Sequence, residues 1–131
     1  MTGKKGTEEA FRAGIVEDRR PWGLFRRYPH EDAGSIKIIT VDPGGVLSLQ
    51  LHERRDEFWV ILDAGLEMTV GERVWRPAAG EEIFIPRRTP HRARNTGPAP
   101  ARFMEIWIGR SEESDIVRLK DEYNRRQGAD S

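Results

Sequence analysis

The chain has no cysteine. Disulfides and thiolate metal sites are therefore excluded, and the composition fits a reducing compartment. It carries no net charge, with 22 Lys and Arg against 22 Asp and Glu. No global field then draws it to nucleic acid or to an anionic membrane, although basic side chains could still line a local anion site. No apolar run approaches the roughly 20 residues that span a bilayer. The polar N-terminus lacks the apolar segment of a signal peptide, so the expected location is the cytoplasm. Histidine is scarce, with three in 131 residues: His30, His52 and His91. His30 sits in the polar turn Tyr28-Pro29-His30-Glu31-Asp32 and reads as solvated.

What remains is enough for one core. Hydrophobic residues make up 37% of the chain and include 4 Trp and 5 Phe, which sets it apart from disordered sequences and implies a single domain. Residues 1–19 read as an N-terminal tail or arm, with a short helix possible over Glu8–Ile15; 20–126 read as one domain, and 127–131 as a polar tail. Short alternating segments follow one another between glycine and proline turns: Ser35–Val41, Val46–His52, Glu57–Leu62, Leu66–Val70, Arg73–Trp75, Glu82–Ile85, His91–Asn95 and Ala101–Ile108. Such spacing predicts an all-β sandwich or barrel. Trp22 and Phe25 are expected to plug its core from an edge strand. Near the end, Ile116, Leu119 and Tyr123 recur at helical spacing, which predicts a C-terminal helix over Glu112–Arg126 lying on the barrel.

The stretch from Gly44 to Asn95 concentrates the chemistry. It reads Gln50-x-His52-x-x-x-x-Glu57, with His91 following beyond a hairpin-like segment. Two positions apart on a strand, Gln50 and His52 face the same way. A turn through Glu53–Asp56 returns Glu57 beside them, and His91 joins if the fold closes on itself. Two imidazoles, a carboxylate and an amide oxygen suit one borderline divalent ion, zinc first, with manganese, iron, cobalt or nickel as alternatives. The competing reading is a hydrogen-bonded polar interior without metal. Arg54 and Arg55 read as an exposed turn.

Gly44 to Gly65 resembles the first cupin motif, with Gln50 in place of its first histidine. Gly80 to Asn95 resembles the second, with Arg88 in place of its inner glycine. Further segments are similar to the cupin domain of type II mannose-6-phosphate isomerases: Arg20-Pro21-Trp22-Gly23, Leu47–His52, Glu57-x-Trp59, His91-Arg92 and Asp115-Ile116-Val117-Arg118. The resemblance spans about Arg20 to Arg125. It implies a double-stranded β-helix, that is, a jelly-roll barrel. It also implies a metal held by Gln50, His52, Glu57 and His91, and interconversion of mannose 6-phosphate and fructose 6-phosphate through an enediol. Lys37 and Glu105 match characteristic positions of that domain and are the candidate acid–base residues. Arg20, Arg92 and Arg94 are candidates to hold the phosphate, because a guanidinium offers a fork of donors.

The pattern is departed from in places. Arg54 and Phe58 stand where histidines are expected, and Asn124 replaces a late glycine. That domain commonly ends bifunctional mannose-1-phosphate guanylyltransferases, but no phosphate-cradling glycine loop is present, so nucleotidyl transfer is not assigned. The alternatives are a metal cupin with other small-molecule chemistry, such as a dioxygenase, and a non-catalytic sugar-binding module. A homodimer is expected, because sheet edges left exposed tend to pair.

Overall fold

Alternation along the strands resolves into two facing antiparallel sheets in the computed structural model, which describes residues 3–30, 34–109 and 112–123. Among these residues are one helix, α1 (Gly3–Ala13), and eleven strands: β1 (Val16–Arg20), β2 (Gly23–Tyr28), β3 (Ser35–Val41), β4 (Leu49–Leu51), β5 (Asp56–Ile61), β6 (Leu66–Val70), β7 (Arg73–Trp75), β8 (Glu82–Ile85), β9 (His91–Asn95), β10 (Ala101–Ile108) and β11 (Val117–Lys120). One sheet runs β1-β2-β3-β10-β5-β8 and the other β11-β4-β9-β6-β7. Most neighbours from β3 onward are far apart in sequence, β3 beside β10 and β4 beside β9 among them, the interlocked order of a jelly roll. No helix among the described residues is long and apolar enough to cross a membrane.

The inward face of the larger sheet is layered. In one row Phe25, Ile39, Phe103 and Ile61 stand side by side across four strands, all buried. Trp59 stacks on Phe103 with ring centroids 4.0 Å apart. Two residues along, the same strands present Arg27, Lys37, Glu105 and Trp59 in register. The next row holds Ser35, Trp107 and Glu57. The barrel is therefore apolar at one end and polar at the other, and the polar end is where chemistry can occur.

Trp22 and Phe25 plug the core as expected, at 1% and 5% exposure. The turn that delivers them requires glycine: Gly23 has φ +151°, and a Cβ there would lie 1.9 Å from the Thr40 carbonyl oxygen.

Three expectations need correction. The predicted C-terminal helix is not formed within 112–123; that stretch carries strand β11, and 124–126 lie outside the described residues. Ile116 and Val117 are β-branched, and β4 offers an open edge on which Val117 pairs with Leu51 and Arg118 with Gln50. Edge pairing therefore outweighs the helical stripe. The predicted strand Val46–His52 shortens to Leu49–Leu51, with an isolated bridge from Val46 to Arg94. Finally, α1 starts at Gly3, within the stretch read as a tail, and stops before Gly14.

Arg88 has φ +63°, the one described non-glycine residue in the left-handed region. The cupin pattern has glycine at this place, and the backbone here explains why. A Cβ in this conformation costs roughly 1–2 kcal/mol, offset in part by the freedom glycine adds to the unfolded chain. Arg88→Gly should raise unfolding stability by about 1 kcal/mol in urea denaturation, despite losing the exposed pair with Glu53 at 3.1 Å.

Candidate metal centre

His52, Glu57 and His91 arrive from three segments: the residue after β4, the second residue of β5 and the first of β9. All three are buried, at 1–2% exposure. One ligand atom from each lies within 4.8 Å of the others, so the group could hold a divalent ion. His52 Nε2 is 3.1 Å from Glu57 Oε2, and His91 Nε2 is 3.6 Å from Glu57 Oε1. Gln50 is buried, pairs with His91 across β4 and β9, and donates its amide nitrogen to Ser48 Oγ at 3.0 Å.

The histidine tautomers are set by the backbone. His52 Nδ1 lies 2.6 Å from the Asp115 carbonyl oxygen and His91 Nδ1 2.9 Å from that of Thr89. A carbonyl only accepts, so each Nδ1 carries hydrogen and each Nε2 turns its lone pair toward Glu57. This is the orientation in which histidine binds metals. Burial, helped by neighbouring His52 and the charge of Arg55, lowers the His91 pKa to about 4 against the pull of Glu57. His91 is thus neutral near pH 7. Burial alone would raise the Glu57 pKa, but its contacts with His52 and His91 and the charge of Arg55 outweigh this and hold the carboxyl well below its ordinary range.

Arg55 is the residue that the turn reading missed. It is 3% exposed. Its Nε donates to Glu57 Oε2 at 2.7 Å, Nη2 lies 3.1 Å from His52 Nε2, and its guanidinium stacks 3.4 Å from the Trp107 ring centroid. The signal was available, because Arg55, Glu57 and Trp59 share one face when period two is carried back through Asp56. Trp59 Nε1 completes the carboxylate's shell, donating to Oε1 at 2.8 Å. The residues fit a divalent ion, since two acceptors facing each other at 3.1 Å call for a cation beside them. In this structure the guanidinium of Arg55 is that cation.

Glu105 and Lys37 stand in the adjoining row. Both are buried, and their charged groups are 4.0 Å apart. Trp107 Nε1 donates to Glu105 at 2.8 Å. Burial first, then the charge of Glu57, pushes the Glu105 pKa up to about 7, against Lys37, Arg55 and the Trp107 bond. With Gln50, His91 and Trp59 they line an interior cavity of ≈ 10 Å³, room for about one water molecule.

The three arginines proposed for phosphate separate. Arg20 pairs with Asp18 at 2.7 Å and lies 5.0 Å from the Phe25 ring centroid, at the edge of the polar layer. Arg92 and Arg94 alternate with His91, Ala93 and Asn95 along β9, and Arg92, buried, also borders the interior cavity. Arg92 donates to the Leu47 and Lys120 carbonyls and pairs with Glu122 at 3.6 Å, tying β11 to the body. Arg54 is exposed, and Phe58 is half-buried on the face of β5 opposite Glu57. Both departures therefore sit off the cluster.

Comparison with known proteins agrees with this geometry. The chain is 37% identical over 107 residues to the xanthan biosynthesis protein XanB of Xanthomonas campestris pv. campestris, covering 81% of this chain and 23% of that protein. It is 36% identical over 111 residues to the alginate biosynthesis protein AlgA of Pseudomonas putida, covering 84% and 23%. It is 36% identical over 107 residues to mannose-1-phosphate guanylyltransferase of Escherichia coli, covering 81% and 22%. The chain thus spans about a quarter of the length of these relatives. Among solved structures, CapF of Staphylococcus aureus superposes with a TM-score of 0.71 at 14% identity, over 81% of this chain and 32% of CapF. Oxalate decarboxylase of Lactobacillus farciminis does so with 0.69 at 19%, over 82% and 34%. These two likenesses establish the cupin fold. A family model described as the mannose-6-phosphate isomerase C-terminal domain matches residues 8–121, and the chain belongs to that family.

Proposed function

We propose that the chain is a metal-dependent sugar-phosphate isomerase that interconverts mannose 6-phosphate and fructose 6-phosphate, serving polysaccharide synthesis. The observation that carries this reading is the buried His52–Glu57–His91 group beside the Glu105–Lys37 pair. The proposed ligands are His52 Nε2, His91 Nε2, a Glu57 oxygen and the Gln50 amide, holding one divalent ion, zinc first. When bound, the ion supplies Lewis acidity to the substrate's carbonyl oxygen.

The remaining work falls to the protein's own side chains. Glu105, ionised above about pH 7, takes the C2 proton of the open-chain aldose and returns it to C1, so no net proton is consumed. Lys37 faces Glu105 across the β3–β10 pair and exchanges a proton with the adjacent oxygens, O2 losing one and O1 gaining one. Trp107 fixes the Glu105 carboxylate through its indole N–H. The buried walls exclude bulk water from the transfer.

Three outcomes are expected. His52→Ala and His91→Ala should each lose most of the metal in elemental analysis while keeping a β-rich circular dichroism spectrum; stoichiometric metal in both would mean the ligands are others. Metal-loaded protein incubated with mannose 6-phosphate in deuterated water should form ketose carrying deuterium at C1, with deuterium at C2 of the recovered aldose. Neither result under any of several divalent ions would sink the isomerase reading in favour of a binding module. With a carboxylate base, kcat/KM should rise roughly tenfold per pH unit below about 7 and then level. Glu105→Gln should lower kcat by at least about a hundredfold while sparing metal content.

A further inference from the structure

A cationic subsite lies one row from the metal cluster. Arg27 and Lys37 are register partners on β2 and β3. With Arg20 they gather round one ring: the three charged groups lie 5.0, 5.2 and 4.7 Å from the Phe25 centroid for Arg20, Arg27 and Lys37. Arg27 and Lys37 share a single carboxylate oxygen, Glu113 Oε1, which accepts from Arg27 Nη2 and, at 2.9 Å, from Lys37 Nζ. Glu113 comes from the segment preceding β11 and is part-exposed at the mouth, like Arg27, with 26% and 28% of their side chains accessible. Burial would raise the Glu113 pKa, but Lys37 and Arg27 hold it below the ordinary range, so it is an anion. Arg27 Nε is buried and has no hydrogen-bond partner.

Two cations converging on one oxygen, with a further guanidinium N–H unbonded, match an anion with more oxygens than Glu113 supplies. A phosphate monoester brings about two charges and three acceptor oxygens, and charge-assisted bonds to it are stronger than neutral ones.

We propose that Arg27 holds the phosphate monoester, with Lys37 lending positive charge from the reacting end, and that the Glu113 carboxylate is an internal stand-in which the phosphate displaces. This rests on the isomerase reading for the identity of the sugar, but not for the anion. Arg20 flanks the subsite, whereas Arg92 and Arg94 take no part in it.

The test is ³¹P NMR and calorimetric titration of the whole chain with inorganic phosphate, mannose 6-phosphate and mannose. Glu113→Gln keeps the shape but removes the competing charge, so it should bind both phosphates roughly tenfold tighter than the native protein. Arg27→Met should weaken both to a similar degree, and mannose alone should gain nothing from Glu113→Gln. Equal phosphate affinity in native and Glu113→Gln protein, or undiminished affinity in Arg27→Met, would overturn the subsite. Tight ester binding by Glu113→Gln without turnover under any metal would leave the subsite standing and defeat the isomerase. Isomerisation with an unchanged KM in Arg27→Met would do the reverse.

Discussion

A buried carboxylate governs this barrel. Glu57 is 1% exposed, and a charge in such a place is tolerated only when its neighbours replace water. Four side chains do so: Trp59 and Arg55 donate to it, and His52 and His91 turn toward it. Each arrives by a separate constraint. Trp59 and Arg55 flank Glu57 on one strand face, His52 is held by the Asp115 carbonyl, and His91 by that of Thr89. The pairing of β11 with β4 thereby becomes part of the site, because Asp115 just precedes that strand. Asp115 also caps the backbone of Glu53 and Arg54 with its carboxylate, both at 3.0 Å. The turn between β4 and β5 is thus fixed from outside the sheet.

Polar groups extend from Glu57 as a connected layer. Arg55 lies against Trp107 on one side, Lys37 approaches the same ring at 4.9 Å, and Glu105 joins Lys37 to Trp107. Opposite charges alternate through this layer, and aromatic faces separate cations that would otherwise repel. Beneath it the row of Phe25, Ile39, Phe103 and Ile61 is wholly apolar. The boundary between the rows is sharp because strand period two and antiparallel register place every change of residue type at the same depth.

Much of this was legible in the sequence. The strand pattern, the inward Lys37, Glu57, Trp59 and Glu105, and the meeting of His52, Glu57 and His91 follow from alternation once the chain closes on itself. What escaped was set by long-range pairing. Ile116, Leu119 and Tyr123 fit a helix, but the open edge of β4 makes Val117–Lys120 a strand. Arg55 follows an exposed neighbour in a charged run, and only the start of β5 at Asp56 turns it inward. Arg27 and Glu113 are 86 residues apart, and no local pattern links them.

Arg55 also gives the cluster a cation of its own. A carboxylate and an imidazole lone pair at 3.1 Å repel unless a cation lies beside them, and the chain carries its own in the guanidinium that meets both. Its planar fork suits Glu57, and its face rests on Trp107, so its place is fixed by packing as well as by charge. The barrel's interior is therefore close to electrically complete from its own residues, with the apolar rows below supplying the main driving force for folding. In structural zinc domains the ion supplies that completion and the apo chain unfolds. Here the candidate ligands stand on or beside strands already held by register and by backbone carbonyls, so the cluster is preorganised by the barrel itself.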